Sequence, residues 1–358
     1  MTVRQTTTST TTTDSPTGGA ARRVEDTFAA LHGAEAALLV PGPVAATTAV
    51  LLALTNPGGH IVASDQTCDP LRAVLTEELT GLGRTVTFVD CADMDAVTAA
   101  VEPATQVVYT QSLSDPLMRL YPLNDIAIHA QMNDLLLVVD NTNLSPAQLR
   151  PLEAGAVVVV EDTSPYLDGW GEVGAALVTG LGRYLPRIQE QCARFGGEVD
   201  SWAAHLLERS LSTLHLRLAA QRAGAERVAE ALRAHPAVSA VHRPSFDESP
   251  WALETHEGFG GLLSFEVGPE IRDLSAVLDA CRGDGTPLAT AARLPARTTH
   301  AHLSERVRRE AGVSRRLVRL AVGVEDCDAL LRGLRRALDA CLAENGLAEN
   351  DRNGGARC

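Results

Sequence analysis

The chain has 358 residues, 45% of them apolar and only 4% aromatic, with a formal net charge of −14. That length and apolar content can bury one large core or two, while the acidic balance and the scarcity of aromatics exclude a nonspecific nucleic-acid binder or a base-stacking surface. No apolar run approaches the roughly 18 residues of a membrane span, and no basic segment followed by an apolar run marks a signal peptide.

Residues 1–19 are a Thr/Ser/Gly tract that reads as a disordered tail. Arg22 to His32 has a helical period, with Val24, Phe28 and Leu31 on one face and Gly33 as its cap. Ala37 to Val40 reads as a short strand, followed by Pro41-Gly42-Pro43 and a helix from Val44 to Leu54. Further strands are expected at Ile61–Asp65, Val86–Val89, Gln106–Tyr109 and Leu135–Asp140. They alternate with helices of about 10 to 15 residues, so the pattern predicts an α/β fold with a mostly parallel, doubly wound sheet. Val157 to Val160 reads as a strand buried on both faces. A polar loop leaves it, then a second apolar run, Val173 to Val178. Such loops are where α/β proteins place their chemistry.

Asp200 to about Ala234 reads as one long helix leading to a smaller C-terminal α+β domain. That domain has strands within Gly258–Glu266 and Leu317–Glu325, and a closing helix from Cys327 to Leu342. The expected division is a large domain at 20–215, a small one at 216–342, and a tail from 343. Seven cysteines, at 68, 91, 192, 281, 327, 341 and 358, are scattered without a CxxC pair, as reduced thiols of a cytoplasmic protein would be. All 31 residues counted as lysine or arginine are arginine. Lysine, ordinarily among the commonest residues, is absent.

Several motifs carry a family resemblance. Asp162-Thr163-Ser164-Pro165-Tyr166-Leu167-Asp168-Gly169-Trp170 resembles the segment Ser-Ala-Thr-Lys-Tyr-Leu-Gly-Gly-His. That segment holds the pyridoxal-phosphate lysine in the cystathionine γ-synthase/γ-lyase (Cys/Met metabolism) family. Gln111-Ser112-Leu113-Ser114-Asp115-Pro116 is similar to the family's Glu-Thr-Pro-Ser-Asn-Pro. Asp140-Asn141-Thr142, Pro295-Ala296-Arg297-Thr298-Thr299-His300 and Leu317-Val318-Arg319-Leu320-Ala321-Val322-Gly323 follow in the family's order. The resemblance spans roughly residues 20 to 342 and implies the fold of type I pyridoxal-phosphate transferases. It places Asp140 on a pyridinium nitrogen, Gly42, Ser164 and Thr142 around the cofactor, and Arg319 on a substrate α-carboxylate.

The departures are as informative. Pro165 stands at the lysine position, and arginine supplies no primary amine for a Schiff base. Cys68 stands where the family stacks a tyrosine on the ring, and Pro43 removes one N–H from the phosphate cradle. Nothing in Thr6 to Asp14 matches the Tyr-x-Arg arm that reaches a neighbouring subunit's phosphate. Asp162 replaces a phosphate-binding serine. A carboxylate about 4 Å from a phosphate costs roughly 1 kcal/mol per charge pair in water and about 4 at an effective dielectric near 20. No covalent aldimine to the protein is therefore expected, which leaves pyridoxal phosphate or pyridoxamine phosphate as noncovalent ligands.

Three readings follow. The first is a non-catalytic homologue or subunit partnering an active paralogue. The second is an enzyme of amino-acid or specialised metabolism that works without a protein Schiff base. It would be a lyase or transferase, with an amino or keto acid on Arg319 and Tyr166, Asp162 or His300 as acid or base. The third is a small-carboxylate binding module. Arg319, inside an apolar strand, needs a counter-charge, either a carboxylate ligand or an internal partner such as Glu161 or Asp162. His300 and His302 read as solvated loop histidines, so no metal is expected. A homodimer, homotetramer or heteromer is expected, with neither nucleic acid nor membrane as partner.

Overall fold

The computed structural model describes residues 18–67, 70–195, 197–244, 258–269, 271, 273–301 and 303–354. Regular structure starts at α1 (Gly18–His32), which takes in the last two residues of the expected tail. The strands β1 (Ala36–Val40), β2 (His60–Ser64), β3 (Thr85–Val89), β4 (Thr105–Gln111), β5 (Leu136–Asp140), β6 (Val158–Asp162) and β7 (Ala176–Gly180) form one sheet. Their order is β1-β7-β6-β5-β4-β2-β3. From β3 to β6 the neighbours run parallel. The mostly parallel sheet is thus present, closed at one side by β7, which runs antiparallel to both β6 and β1.

Helices cover both faces. Alternate residues of a strand point to opposite sides, and the cores show it. Val139, Val159 and Leu177 pack with Val24 and Phe28 of α1 and with Ile126 of α6 (Leu123–Met132). Val138, Val158, Val160 and Val178 pack instead with Val50 and Leu51 of α2 (Pro43–Leu54) and Ile188 of α7 (Leu185–Arg194). The same alternation sends Glu161 toward α1, and Asp140 and Asp162 toward α2. Between β2 and β3 the chain runs α3 (Leu71–Ala73), a π-helical turn Val74–Glu78 and α4 (Leu79–Gly81). The connection from β3 to β4 is α5 (Met94–Ala100), capped by the Asp93 carboxylate.

The single long helix expected after Asp200 is two. Asp200 caps α8 (Ser201–Leu211), accepting from the N–H groups of Trp202 and Ala203 at 3.0 Å. The chain then breaks before α9 (Leu214–Arg233). At the break the Ser212 and Thr213 hydroxyls donate back to the Arg209 and Ser210 carbonyls. Hydroxyl side chains compete with the helix for its own carbonyls, which the apolar period does not register.

A second, antiparallel sheet has the order β10-β11-β9-β8, with β8 (Val238–His242), β9 (Leu262–Val267), β10 (Ala291–Arg293) and β11 (Leu317–Ala321). Leu263, Phe265, Val318 and Leu320 bury one face against α9, α10 (Ser275–Ala280) and α12 (Cys327–Gly354). α11 (Glu305–Glu310) precedes β11. α12 starts where expected but runs on through the stretch read as a tail. The other face, bearing Ser264 and Arg319, turns toward the first sheet, whose core includes Leu262. Among the described residues no helix is long and apolar enough to cross a membrane.

Candidate functional site

The C-terminal ends of β5 and β6 join four of the residues singled out in the sequence. Asp140 accepts the Thr142 N–H at 2.9 Å and the Tyr109 hydroxyl at 3.3 Å. The Thr142 hydroxyl accepts the Asp162 N–H at 2.9 Å, and Asp162 accepts the Ser164 N–H at 3.0 Å. Burial pushes the Asp140 carboxyl above its ordinary range. The bonds from Thr142 oppose that rise, and the nearby charge of Asp162 adds to it. Burial also raises Asp162, against its bonds to Ser164. No arginine or histidine pairs with Asp140 among the described residues.

Asp140 is half-buried, and a partly desolvated carboxylate that no cation faces destabilises the fold. Asp140→Asn is therefore expected to stabilise the protein by about 1–3 kcal/mol at neutral pH. A carboxyl whose folded pKa is raised binds its proton more tightly in the folded state. Its penalty therefore grows as pH rises through that pKa and disappears below it. The advantage of the variant should shrink on acidification, which paired urea denaturation curves across mildly acidic pH will read. A less stable variant at neutral pH would refute the assignment.

Gly42 caps α2 with φ +79°, a left-handed geometry that favours glycine, and Pro43 opens the helix. The first helical position thus has no N–H to offer a ligand. Glu161 lies on the opposite face of the sheet. It accepts from Asn141 Nδ2 at 2.6 Å and stands 3.1 Å from His32 Nε2.

The loop after β6 is held closed from inside. The Thr163 hydroxyl faces the Val173 and Ala175 carbonyls at 2.8 and 3.0 Å. Asp168, 1% exposed, accepts three backbone N–H groups, from Trp170 and Gly171 at 2.7 Å and Val173 at 2.8 Å. Arg217 of α9 donates to the Tyr166 and Leu167 carbonyls and to the Ser210 carbonyl. Burial lowers its pKa, while the Asp168 charge opposes that. Gly169, at φ +73°, leaves room for this guanidinium: a Cβ there would meet it at 2.9 Å. Pro165 and Tyr166 are therefore presented by a braced turn.

Beyond the turn lies a cavity of about 360 Å³ between the two sheets. Ser164, Pro165, Tyr166, Gln221, Arg293 and Arg319 line it. Arg319 does pair internally, but with neither Glu161 nor Asp162. Its Nε stands 2.8 Å from Asp115 Oδ2, close enough for an ion pair but off line for a hydrogen bond. Glu161 is committed to the α1 face, and Asp162 to Ser164. Asp115 sits in the motif where the resemblance implies an asparagine. The Tyr166 hydroxyl is buried without a well-aligned hydrogen-bond partner. Burial raises its pKa strongly, with Arg319 and the Gly261 N–H pulling the other way. A Tyr166 so buried holds its proton at neutral pH, so it would donate a hydrogen bond and not act as a base.

His300 is not part of this arrangement. It lines a separate cavity of about 210 Å³ with Asp65, Gln66 and Arg72. Cys68 and His302 lie outside the described residues. No cluster of three or more potential metal ligands occurs among the described residues. Sequence reasoning passed over Asp168, Arg217, Gln221 and Arg293. Asp168 followed by Gly169 was a turn signal, but nothing local marks Arg293 as a cavity residue.

The comparisons with known proteins bear on the family and the fold. The family model for the Cys/Met metabolism PLP-dependent enzyme matches residues 13–339. The cystathionine gamma-lyase of Bacillus subtilis (strain 168) is 34% identical over 325 residues, covering 86% of this chain and 83% of that one. The L-methionine gamma-lyase of Pseudomonas putida is 34% identical over 330 residues, covering 88% and 82%. Among solved structures, cystathionine gamma-lyase from Lactobacillus plantarum complexed with L-serine superposes with a TM-score of 0.85. The sequence identity is 29%, over 95% of this chain and 92% of that one. The chain belongs to the family of Cys/Met metabolism PLP-dependent enzymes.

Proposed function

We propose that this chain is a non-catalytic member of its family, a subunit that assembles with a second chain of the same fold. One observation carries the reading: the 358 residues contain no lysine, so no side chain offers the primary amine on which a protein Schiff base depends. The donor set supports it. Pro165 stands in the turn where the resemblance implies the amine, Pro43 opens α2 without an N–H, and Asp162 adds a carboxylate beside Ser164. These residues do not fit a covalently held pyridoxal phosphate.

The bracing by Asp168 and Arg217 argues against decay, because a loop with no role would not need a three-fold carboxylate clamp. Three large apolar side chains stand exposed on the loop and the helices beside it. Trp170 is 56% exposed, Trp202 at the start of α8 63%, and Leu216 in the first turn of α9 74%. A groove of about 620 Å³, lined by Trp170, Leu206, Arg209 and Thr213 among others, runs beside them. Exposed aromatics beside a concave surface are typical of protein interfaces.

The test joins absorbance, borohydride trapping and peptide mapping on the purified chain with pyridoxal phosphate. The expected outcome is no trapped adduct on any side chain and no turnover of cystathionine or methionine. The Met1 α-amino group is the one amine the map must set aside. Turnover, or a side-chain adduct, would overturn the proposal. The assembly half is read by light scattering: Trp202→Asp should lower the mass of whatever oligomer the wild type forms. A wild-type monomer, alone and with a co-expressed active relative, would remove the subunit role.

A second reading, a binding module for a small ligand, is favoured by the open cavity at Arg319.

A further inference from the structure

The second sheet carries a polar row across its middle. Arg293 of β10 is the direct cross-strand partner of Arg319 of β11, which is in turn opposite Ser264 of β9. Directly opposed residues of antiparallel strands share a face, and like charges placed so repel. Here the shared face looks away from the sheet's own core and toward the first sheet. Two neighbouring guanidinium groups call for anions. Asp115 supplies one, at 2.8 Å from Arg319. Arg293 has neither an ion pair nor a hydrogen bond among the described residues.

Both arginines line the cavity of about 360 Å³. Gln221 of α9, 3% exposed, lines it as well. Its Nε2 donates to the Pro287 carbonyl at 3.2 Å, and its Oε1 is buried without a partner. A buried acceptor left unmatched costs about 1–3 kcal/mol. The cavity thus offers an exposed guanidinium that no protein carboxylate occupies and one buried acceptor without a match, in a volume suited to a small molecule.

We infer that this cavity is a site for a small monoanion that also carries a hydrogen-bond donor. Its anionic group is held by Arg293, and its donor meets Gln221 Oε1. Arg319 is not the anchor, because the Asp115 carboxylate already neutralises its charge. Asp115 is thereby a specificity-determining residue. It removes one of the two charges that would otherwise make the cavity a dianion site. The inference rests on the small-ligand reading of this cavity given above and concerns binding alone, so it does not depend on the absence of catalysis.

The experiment is calorimetric titration of the full chain with glycolate, acetate and succinate. Glycolate has the anion and a hydroxyl donor, acetate lacks the donor, and succinate has two anionic groups. Saturable binding of glycolate is expected, tighter than that of acetate. Arg293→Gln should weaken glycolate about tenfold or more, the worth of charge-assisted hydrogen bonds. The melting temperature should hold, because Arg293 is exposed and the change relieves a repulsion. Asp115→Asn frees Arg319 and should reverse the preference, making succinate the tighter ligand. Three results would overturn the inference: no saturable glycolate binding to folded wild type, binding that survives Arg293→Gln, or acetate binding as tightly as glycolate.

Discussion

Asp168→Ala is expected to cost about 3–5 kcal/mol and to release the loop that carries Pro165 and Tyr166. Each hydrogen bond to a charged acceptor contributes about 1.5–3 kcal/mol, and Asp168 accepts three from buried or half-buried backbone. The three share one carboxylate, so their loss is less than additive. Gly169 and Gly171, both at positive φ, keep the turn from refolding around other donors. Arg217 loses a neighbouring charge at the same time, although its bonds to the Tyr166 and Leu167 carbonyls remain. Urea denaturation gives the stability. Amide exchange at Trp170, Gly171 and Val173 gives the local effect, and exchange there should rise well beyond the global change. A loss below about 1 kcal/mol, with unchanged exchange, would mean the clamp is incidental.

The second large effect is expected at a site with no part in the cavity. His32→Ala should cost about 3–5 kcal/mol at neutral pH, the usual result of breaking one side of a buried pair. His32 and Glu161 are each 1% exposed, with 3.1 Å between Nε2 and Oε1. Without the imidazole, Glu161 keeps the bond from Asn141, while its second oxygen already lacks a partner. Burial raises the Glu161 carboxyl, and the His32 imidazole beside it counters the rise. The sign follows. A raised folded pKa means that protonating Glu161 favours the fold, so its cost is absent at acidic pH and appears as pH rises through that pKa. The deficit of the variant should therefore narrow on acidification. His32→Ala combined with Glu161→Gln should recover part of it at neutral pH. A deficit that widens toward acid would show that the carboxylate is not its source.

How much of this was legible beforehand differs by element. Val157 to Val160 announced a buried strand, and the structure has β6 there, but the neighbouring β7 runs antiparallel to it. Strand character is a local property of side chains, whereas direction depends on where the chain re-enters. The unbroken period from Asp200 to Ala234 suggested one helix. Two hydroxyls divide it, because helix propensity sums over a window while hydrogen-bond competition acts at single carbonyls. Asp140, Thr142, Asp162 and Ser164 were named from sequence and do form one cluster. They stand at the ends of adjacent strands, so chain order and a parallel sheet together bring them close.

The sequence by itself determined the strand pattern, the order of the motifs and the absence of any primary amine on a side chain. Those are matters of composition and of periods two to four residues long, and no tertiary contact can alter them. Only the tertiary structure decided that Arg319 is matched by Asp115, that Arg293 stands beside it unmatched, and that Glu161 and Asp162 serve opposite faces of one sheet. Partners of that kind come from segments far apart in the chain. What a buried charge does is set by the groups that folding brings within a few ångströms of it.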